Sequence, residues 1–112
     1  MPQPFVVIVR GKGHAAAHHA HRVIVWRERA LASKRPIVLF DDLEEMHSYE
    51  SEVRLRLTRW IAINRSRIEA VHILMRSKIA SMGVTLANLA LGGFIRSYTR
   101  RDEFERELRR FV

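Results

Sequence analysis

The sequence predicts an α/β fold: four mainly parallel strands in the order 2-1-3-4 with four helices, following one another as βαβαβαβα. Three observations predict it. Short apolar runs at Phe5–Val9, Ile37–Phe40, Ala70–Met75 and Phe94–Tyr98 have the length and composition of strands. Each is followed by a longer stretch whose apolar residues recur at helical spacing. A chain of 112 residues, 47% hydrophobic and 29% charged, suits one compact domain spanning 1-112. Strands alternating with helices imply right-handed crossovers and a parallel sheet, for which 2-1-3-4 is the usual doubly wound order.

Phe5-Val6-Val7-Ile8-Val9 is apolar at every position, as a strand buried on both faces is, and Gly11-Lys12-Gly13 predicts a turn after it. Helix 1 is expected from His14 to Ala32, where Ala16, Ala17, Ala20, Val23, Ile24, Arg27 and Leu31 share about a third of the helical circle. Pro36 opens strand 2, Ile37-Val38-Leu39-Phe40, which is expected to stop at Asp41-Asp42 because buried charge is costly. Helix 2, Ser48 to Asn64, collects Tyr49, Val53, Leu57, Trp60, Ile61 and Asn64 on one stripe and turns Glu52, Arg54, Arg56 and Arg59 away. Trp60, on that stripe, is expected in the core. Strand 3 is Ala70–Met75. Ser77 is placed to cap helix 3, which runs to Leu91 and ends at Gly92-Gly93 in a left-handed C-cap. Phe94–Tyr98 alternates like a half-exposed edge strand. Thr99-Arg100-Arg101-Asp102 fits a capping box, with Phe104, Leu108 and Phe111 as the inner face of helix 4.

Lys+Arg 20 against Asp+Glu 12 gives a net charge of +8, which admits an anionic partner. With 0 Cys, disulfide frameworks, thiolate nucleophiles and cysteine zinc sites are excluded, and a reducing cytoplasm is the expected compartment. Met1-Pro2-Gln3-Pro4-Phe5 lacks a basic region before an apolar core, so no secretory leader is expected. Ile79 to Leu91 is broken by Ser81, Thr85 and Asn88 and is shorter than the ~20 residues of a spanning helix, so no membrane insertion is expected.

The register Ile37-Val38-Leu39-Phe40-Asp41-Asp42-Leu43, with Met46-His47-Ser48-Tyr49 opening a helix, resembles the segment of STAS domains (the SpoIIAA-like, anti-sigma-factor-antagonist class) that carries their regulatory serine. The stretch Ala70–Val84, continuing to Leu91-Gly92-Gly93, and the final strand and helix with Tyr98-Thr99, Asp102, Phe104 and Leu108 are similar to small stand-alone bacterial STAS-like proteins. The resemblance implies a single STAS-like domain with no catalytic activity, no cofactor and no metal. It implies regulation through a protein partner that touches the strand 2 to helix 2 turn at Asp42, Met46, His47, Glu50 and Arg54. Ser48 aligns beside the family's phosphorylated serine and Tyr49 on the phosphoacceptor position itself, so Ser48, Tyr49 and Ser51 are the candidate regulatory residues. Ser48 also fits a helix N-cap, whose free N–H groups favour an anion. STAS domains generally begin with an extra strand, whereas only Met1 to Pro4 precede strand 1 here, and Pro2 and Pro4 cannot donate ladder hydrogen bonds. In the order 2-1-3-4 that leaves Ile37–Phe40 as an apolar edge, and a second copy of the chain is expected to cover it as a homodimer.

Two alternative functions stand beside this one. Arg54, Arg56, Arg59, Arg65 and Arg67 cluster around helix 2 and its exit, where a basic domain could contact nucleic acid; a solvated arginine face is the more ordinary outcome. Some SpoIIAA-like relatives imply a carrier of a small apolar or lipid ligand. His14, His18 and His21 fall at i, i+4, i+7 on helix 1 with no fourth ligand, so no metal site is expected. Asp41, Asp42, Glu44 and Glu45 lack an accompanying nucleophile and are expected as solvated loop charge.

Overall fold

The computed structural model describes residues 3–112; what the sequence implied for Met1 and Pro2, as leader or covering strand, lies outside the described residues. Phe5–Ala15 form β1, Ala17–Leu31 α1, Ile37–Tyr49 β2, Ser51–Ile63 α2, Ile68–Met75 β3, Lys78–Ala90 α3, Ile95–Tyr98 β4 and Arg101–Arg109 α4, with a 3₁₀ turn at Arg65–Arg67. All neighbouring strands pair in parallel, and the order is β1-β2-β3-β4. This corrects the expected 2-1-3-4. The sheet is wound in one direction, so each right-handed crossover delivers its helix to the same face. Apolar alternation marks strands and helices but carries no sign for the direction of each step.

The two faces are therefore unequal. Val7, Val9, Ile37, Leu39, Val71 and Ile73 point to a large core shared with α1, α2 and α3. Val38, Phe40 and Leu74 point the other way, to a smaller core closed by Phe104 with Leu108 and Phe111. Beyond the reach of α4, Ile8 on β1 is 53% exposed. Ile37–Phe40 is fully buried between β1 and β3 instead of forming an edge, which removes the stated ground for strand-paired dimerisation.

β1 and β2 also run further than the sequence predicted, as a paired extension reaching His14↔Ser48 and Ala15↔Tyr49. The glycines bend β1 rather than end it: register shifts fall at Arg10/Lys12 and Gly13/His14, and Gly13 takes φ +72, the left-handed residue of a bulge. Nor do the aspartates stop β2, because each meets an arginine, Asp41 on the helix-rich face and Asp42 on the α4 face. Helix α2 consequently starts at Ser51 with Glu50 as its N-cap residue, and Ser48 lies within β2, correcting its reading as a cap. Likewise α4 starts at Arg101 with Arg100 at its N-cap, one residue past the expected box. The third helix follows expectation: Ser77 Oγ accepts from Ala80 N at 3.1 Å, and Gly92 and Gly93 take φ 70 and 86.

Candidate functional site

A cavity of about 320 Å³ lies between the helix-rich face of the sheet and α1, α2 and α3. Its wall is mainly apolar, with Val23 from α1, Met46 from β2, Leu57 from α2 and Val84 and Ala87 from α3. A small residue makes part of the room. A Cβ at Gly83 would collide with the Tyr49 hydroxyl, so glycine lets that ring lie against α3 at the cavity wall. Exposed Lys12, His14, His19 and Arg22 form a polar rim.

A buried ion pair interrupts the apolar wall, to which α2 also adds half-buried Arg54 and Thr58. Arg27, 0% exposed, donates from Nη2 to Asp41 Oδ2 at 2.7 Å, and its guanidinium carbon lies 5.6 Å from the Trp60 ring centre. Trp60 in turn donates from Nε1 to Glu28 at 2.7 Å. The Arg27–Asp41 pair is single-pronged: Arg27 Nε and Nη1 and Asp41 Oδ1 are buried without a hydrogen-bond partner. Buried polar atoms are ordinarily paired, so three orphans around one contact are unusual.

The opposite face holds a second charged group at the carboxyl ends of the strands. Asp42, 4% exposed, accepts from Arg101 through both oxygens, while Glu44 accepts from Arg101 Nε at 2.8 Å and pairs with Arg76 at 3.2 Å. The Asp42 bonds, with those from Glu44 and Glu105, hold the Arg101 guanidinium charged far above its ordinary range. Deeper on this face, His72 Nδ1 lies 2.9 Å from the Tyr98 hydroxyl, and its ring stacks on Phe40 with centroids 4.4 Å apart. Burial pushes the His72 imidazole below its ordinary value, and the Arg96 charge adds to that. Burial pushes the Tyr98 phenol up, followed in effect by Glu107.

No family model and no curated protein matches the chain. Among solved structures it is similar to an uncharacterized protein of the DUF3478 family with a SpoIIAA-like fold, from Shewanella loihica PV-4, at 14% identity and a TM-score of 0.67, covering 94% of this chain and 82% of that one. The chain has a SpoIIAA-like fold.

The SpoIIAA-like fold distributes the residues singled out from sequence unevenly. Asp42 and Met46 are interior, 4% and 7% exposed, while His47, Glu50 and Ser51 are exposed and Ser48, Tyr49 and Arg54 are half-buried. Ser48 Oγ lies 2.7 Å from His14 Nδ1 across the β1–β2 extension. Because His14 is in β1, it does not share a helical band with His18 and His21, and among the described residues no three metal-ligating side chains converge. Nor do the helix 2 arginines form one groove. Arg65 donates to Leu91 O at 2.7 Å and Arg67 to Leu31 O at 3.0 Å, tying down the ends of α3 and α1, and Arg54 lines the cavity. Arg59 remains exposed and Arg56 makes a long contact to Ala17 O at 3.5 Å. Sequence reasoning missed the pairing of Arg27 with Asp41. The available signal was Arg27 itself, an arginine within the apolar stripe of helix 1 with an aspartate pair ending the next strand.

Proposed function

We propose that the chain is a non-catalytic ligand-binding domain that holds a small apolar molecule between its sheet and α1–α3. The cavity carries this reading: about 320 Å³ with a mainly apolar wall lies at the lower end of the range for small-molecule sites. The test is binding of an uncharged apolar dye, N-phenylnaphthylamine, followed by its fluorescence. The protein should bind it saturably, and Val84→Phe, which places a ring in the cavity, should abolish binding while the protein melts as cooperatively as before. Equal dye binding by the Val84→Phe protein would remove the cavity from the function.

A second reading is a regulatory interaction module, as anti-sigma-factor antagonists are, acting in the cytoplasm through a protein partner. The exposed row Ile79, Met82, Leu86 and Leu89 on α3 favours it. These residues fall at i, i+3, i+7, i+10, the seam of a helix pair, and are interleaved with uncharged Ser81, Thr85 and Asn88, so the +8 net charge puts no like charges into the seam. The partner fitted best is a second copy of the chain. Light scattering should then give about twice 13.1 kDa for the protein and 13.1 kDa for Met82→Glu. A monomer at micromolar concentration would rule out a second copy as that partner.

A further inference from the structure

The cavity wall carries a buried ion pair that is incomplete and, from α2, half-buried Arg54, whose Nε is also buried without a partner. Arg27 reaches Asp41 through a single Nη2–Oδ2 contact, although a guanidinium and a carboxylate can form a two-pronged fork. What is left over is specific in kind: two donor nitrogens, Nε and Nη1, carrying three N–H groups, and one carboxylate acceptor, Oδ1, all buried and all without partners. Leaving such groups unpaired is expensive in a low-dielectric interior. Both residues line the cavity, beside Val9, Val23, Ile61 and Ile73, with their orphan atoms just behind its surface, so a head group reaches them by a small side-chain shift.

We propose that the Arg27–Asp41 pair is the head-group site of this cavity and takes an uncharged amphiphile whose head both accepts and donates a hydrogen bond, a hydroxyl or a primary amide, with its tail against Met46, Leu57 and Val84. The inference rests on the ligand-binding reading above. A hydroxyl oxygen accepts from Arg27 while its proton is donated to Asp41 Oδ1, so one small group satisfies both orphan types. Charge selects against the other heads. The pair is already neutral, so a carboxylate at this site would be buried next to Asp41 and an ammonium next to Arg27, each adding a charge that the pair does not compensate. The exposed rim cations Lys12 and Arg22 and half-buried Arg54 on the α2 wall would draw an anionic head to themselves, so head-group preference separates these cations from the Arg27–Asp41 pair.

The experiment displaces N-phenylnaphthylamine from the whole protein with four eight-carbon probes sharing one tail: octanol, octane, octanoate and octylamine at neutral pH. Octanol should displace the dye at a concentration at least about tenfold below that of the other three, the worth of one satisfied buried hydrogen-bonding pair. In Arg27→Met/Asp41→Leu, where apolar side chains of similar size replace the pair, the order should reverse, octanol displacing the dye less well than octane because its hydroxyl is now buried unpaired, while dye binding persists. Equal displacement by all four probes in the unaltered protein overturns the head-group site and leaves the ligand-binding reading intact. Preference for octanoate overturns it by moving the head to Arg54 or the basic rim. Failure of the unaltered protein to bind dye or any probe overturns the ligand-binding reading, and this inference with it. The comparison of heads needs no variant, so it decides the matter even if the double variant does not fold.

Discussion

Asp42 is almost wholly buried, yet it is the hub of the charged group on the α4 face, accepting from Arg101 at 2.9 and 2.8 Å and lying 3.4 Å from Arg10. Arg101→Ala would leave that carboxylate with the long Arg10 contact and a 3.3 Å bond from the Glu44 backbone N–H. We expect a loss of about 2 kcal/mol, between the values for exposed and fully buried pairs, and only partial recovery with Arg101→Lys, whose ammonium cannot fork. Urea denaturation of the three proteins checks this; coincident midpoints would show that Asp42 is satisfied without Arg101. His72 offers a pH test. Its folded-state value is lowered, by burial first and by Arg96 and Arg110 against the opposing Glu107. Its contribution is therefore complete above pH about 6.5 and is lost as pH falls through that value, where the unfolded chain takes up a proton and the folded one resists it. His72→Phe keeps a ring against Phe40 but has nothing to titrate. The melting temperature of the unaltered protein, measured relative to this variant, should fall between neutral pH and about pH 5.5. A constant difference would show that His72 does not control acid stability.

Elements tell how far sequence pattern reaches. At the Gly13 bulge, φ +72 is comfortable only for glycine, so Gly13→Ala should cost about 1–2 kcal/mol and loosen the paired extension that holds His14 against Ser48. Amide exchange would show the loosening confined to Lys12–Ala15 and Glu45–Tyr49; unchanged protection there would mean that the bulge tolerates a side chain. The same bulge explains a misplaced boundary. A Gly-Lys-Gly run is ordinary turn chemistry, and only the pairing partner, far away in sequence, turns it into a bend within a strand. Asp41 and Asp42 misled in the same way, since the arginines that make their burial tolerable come from α1 and α4. By contrast, local signals sufficed for α3, where Ser77 and the two glycines act within one turn of the helix they bound. Trp60 was likewise placed correctly in the core by the helical stripe it shares with Val53 and Ile61. The cavity could not be read in advance, because its wall is assembled from every strand and from α1, α2 and α3.

At the scale of the whole molecule, one-directional winding gives the sheet one deep face and one shallow one. Exposed positions beyond α4 should therefore tolerate polarity: Ile8→Thr is expected to change stability by less than about 0.5 kcal/mol, whereas Val7→Thr, which puts a hydroxyl into the helix-side core, should cost at least about 1 kcal/mol. Thermal denaturation of the pair checks the assignment of faces, and a costly Ile8→Thr would indicate that something covers β1 in solution. STAS-like recognition from Pro36 onward captured the α/β class and its SpoIIAA-like character but not the direction of winding, since both sheet orders require the same alternation of strand and helix.

The position of α4 has a consequence in time. Each strand joins the sheet beside its immediate predecessor, so β1 to β4 can assemble in the order in which they leave the ribosome, and the helix-side core closes progressively. The other face has no such progress. Phe40 and His72 stay uncovered until α4, last in chain order, folds back over them. Phe104, 2% exposed at the centre of that closure, should thus be a latch set after the rate-limiting step. Phe104→Ala is expected to cost about 3–5 kcal/mol, nearly all of it as faster unfolding with the refolding rate almost unchanged. Stopped-flow measurement of both limbs tests this, and slowed refolding would place α4 in the nucleus instead.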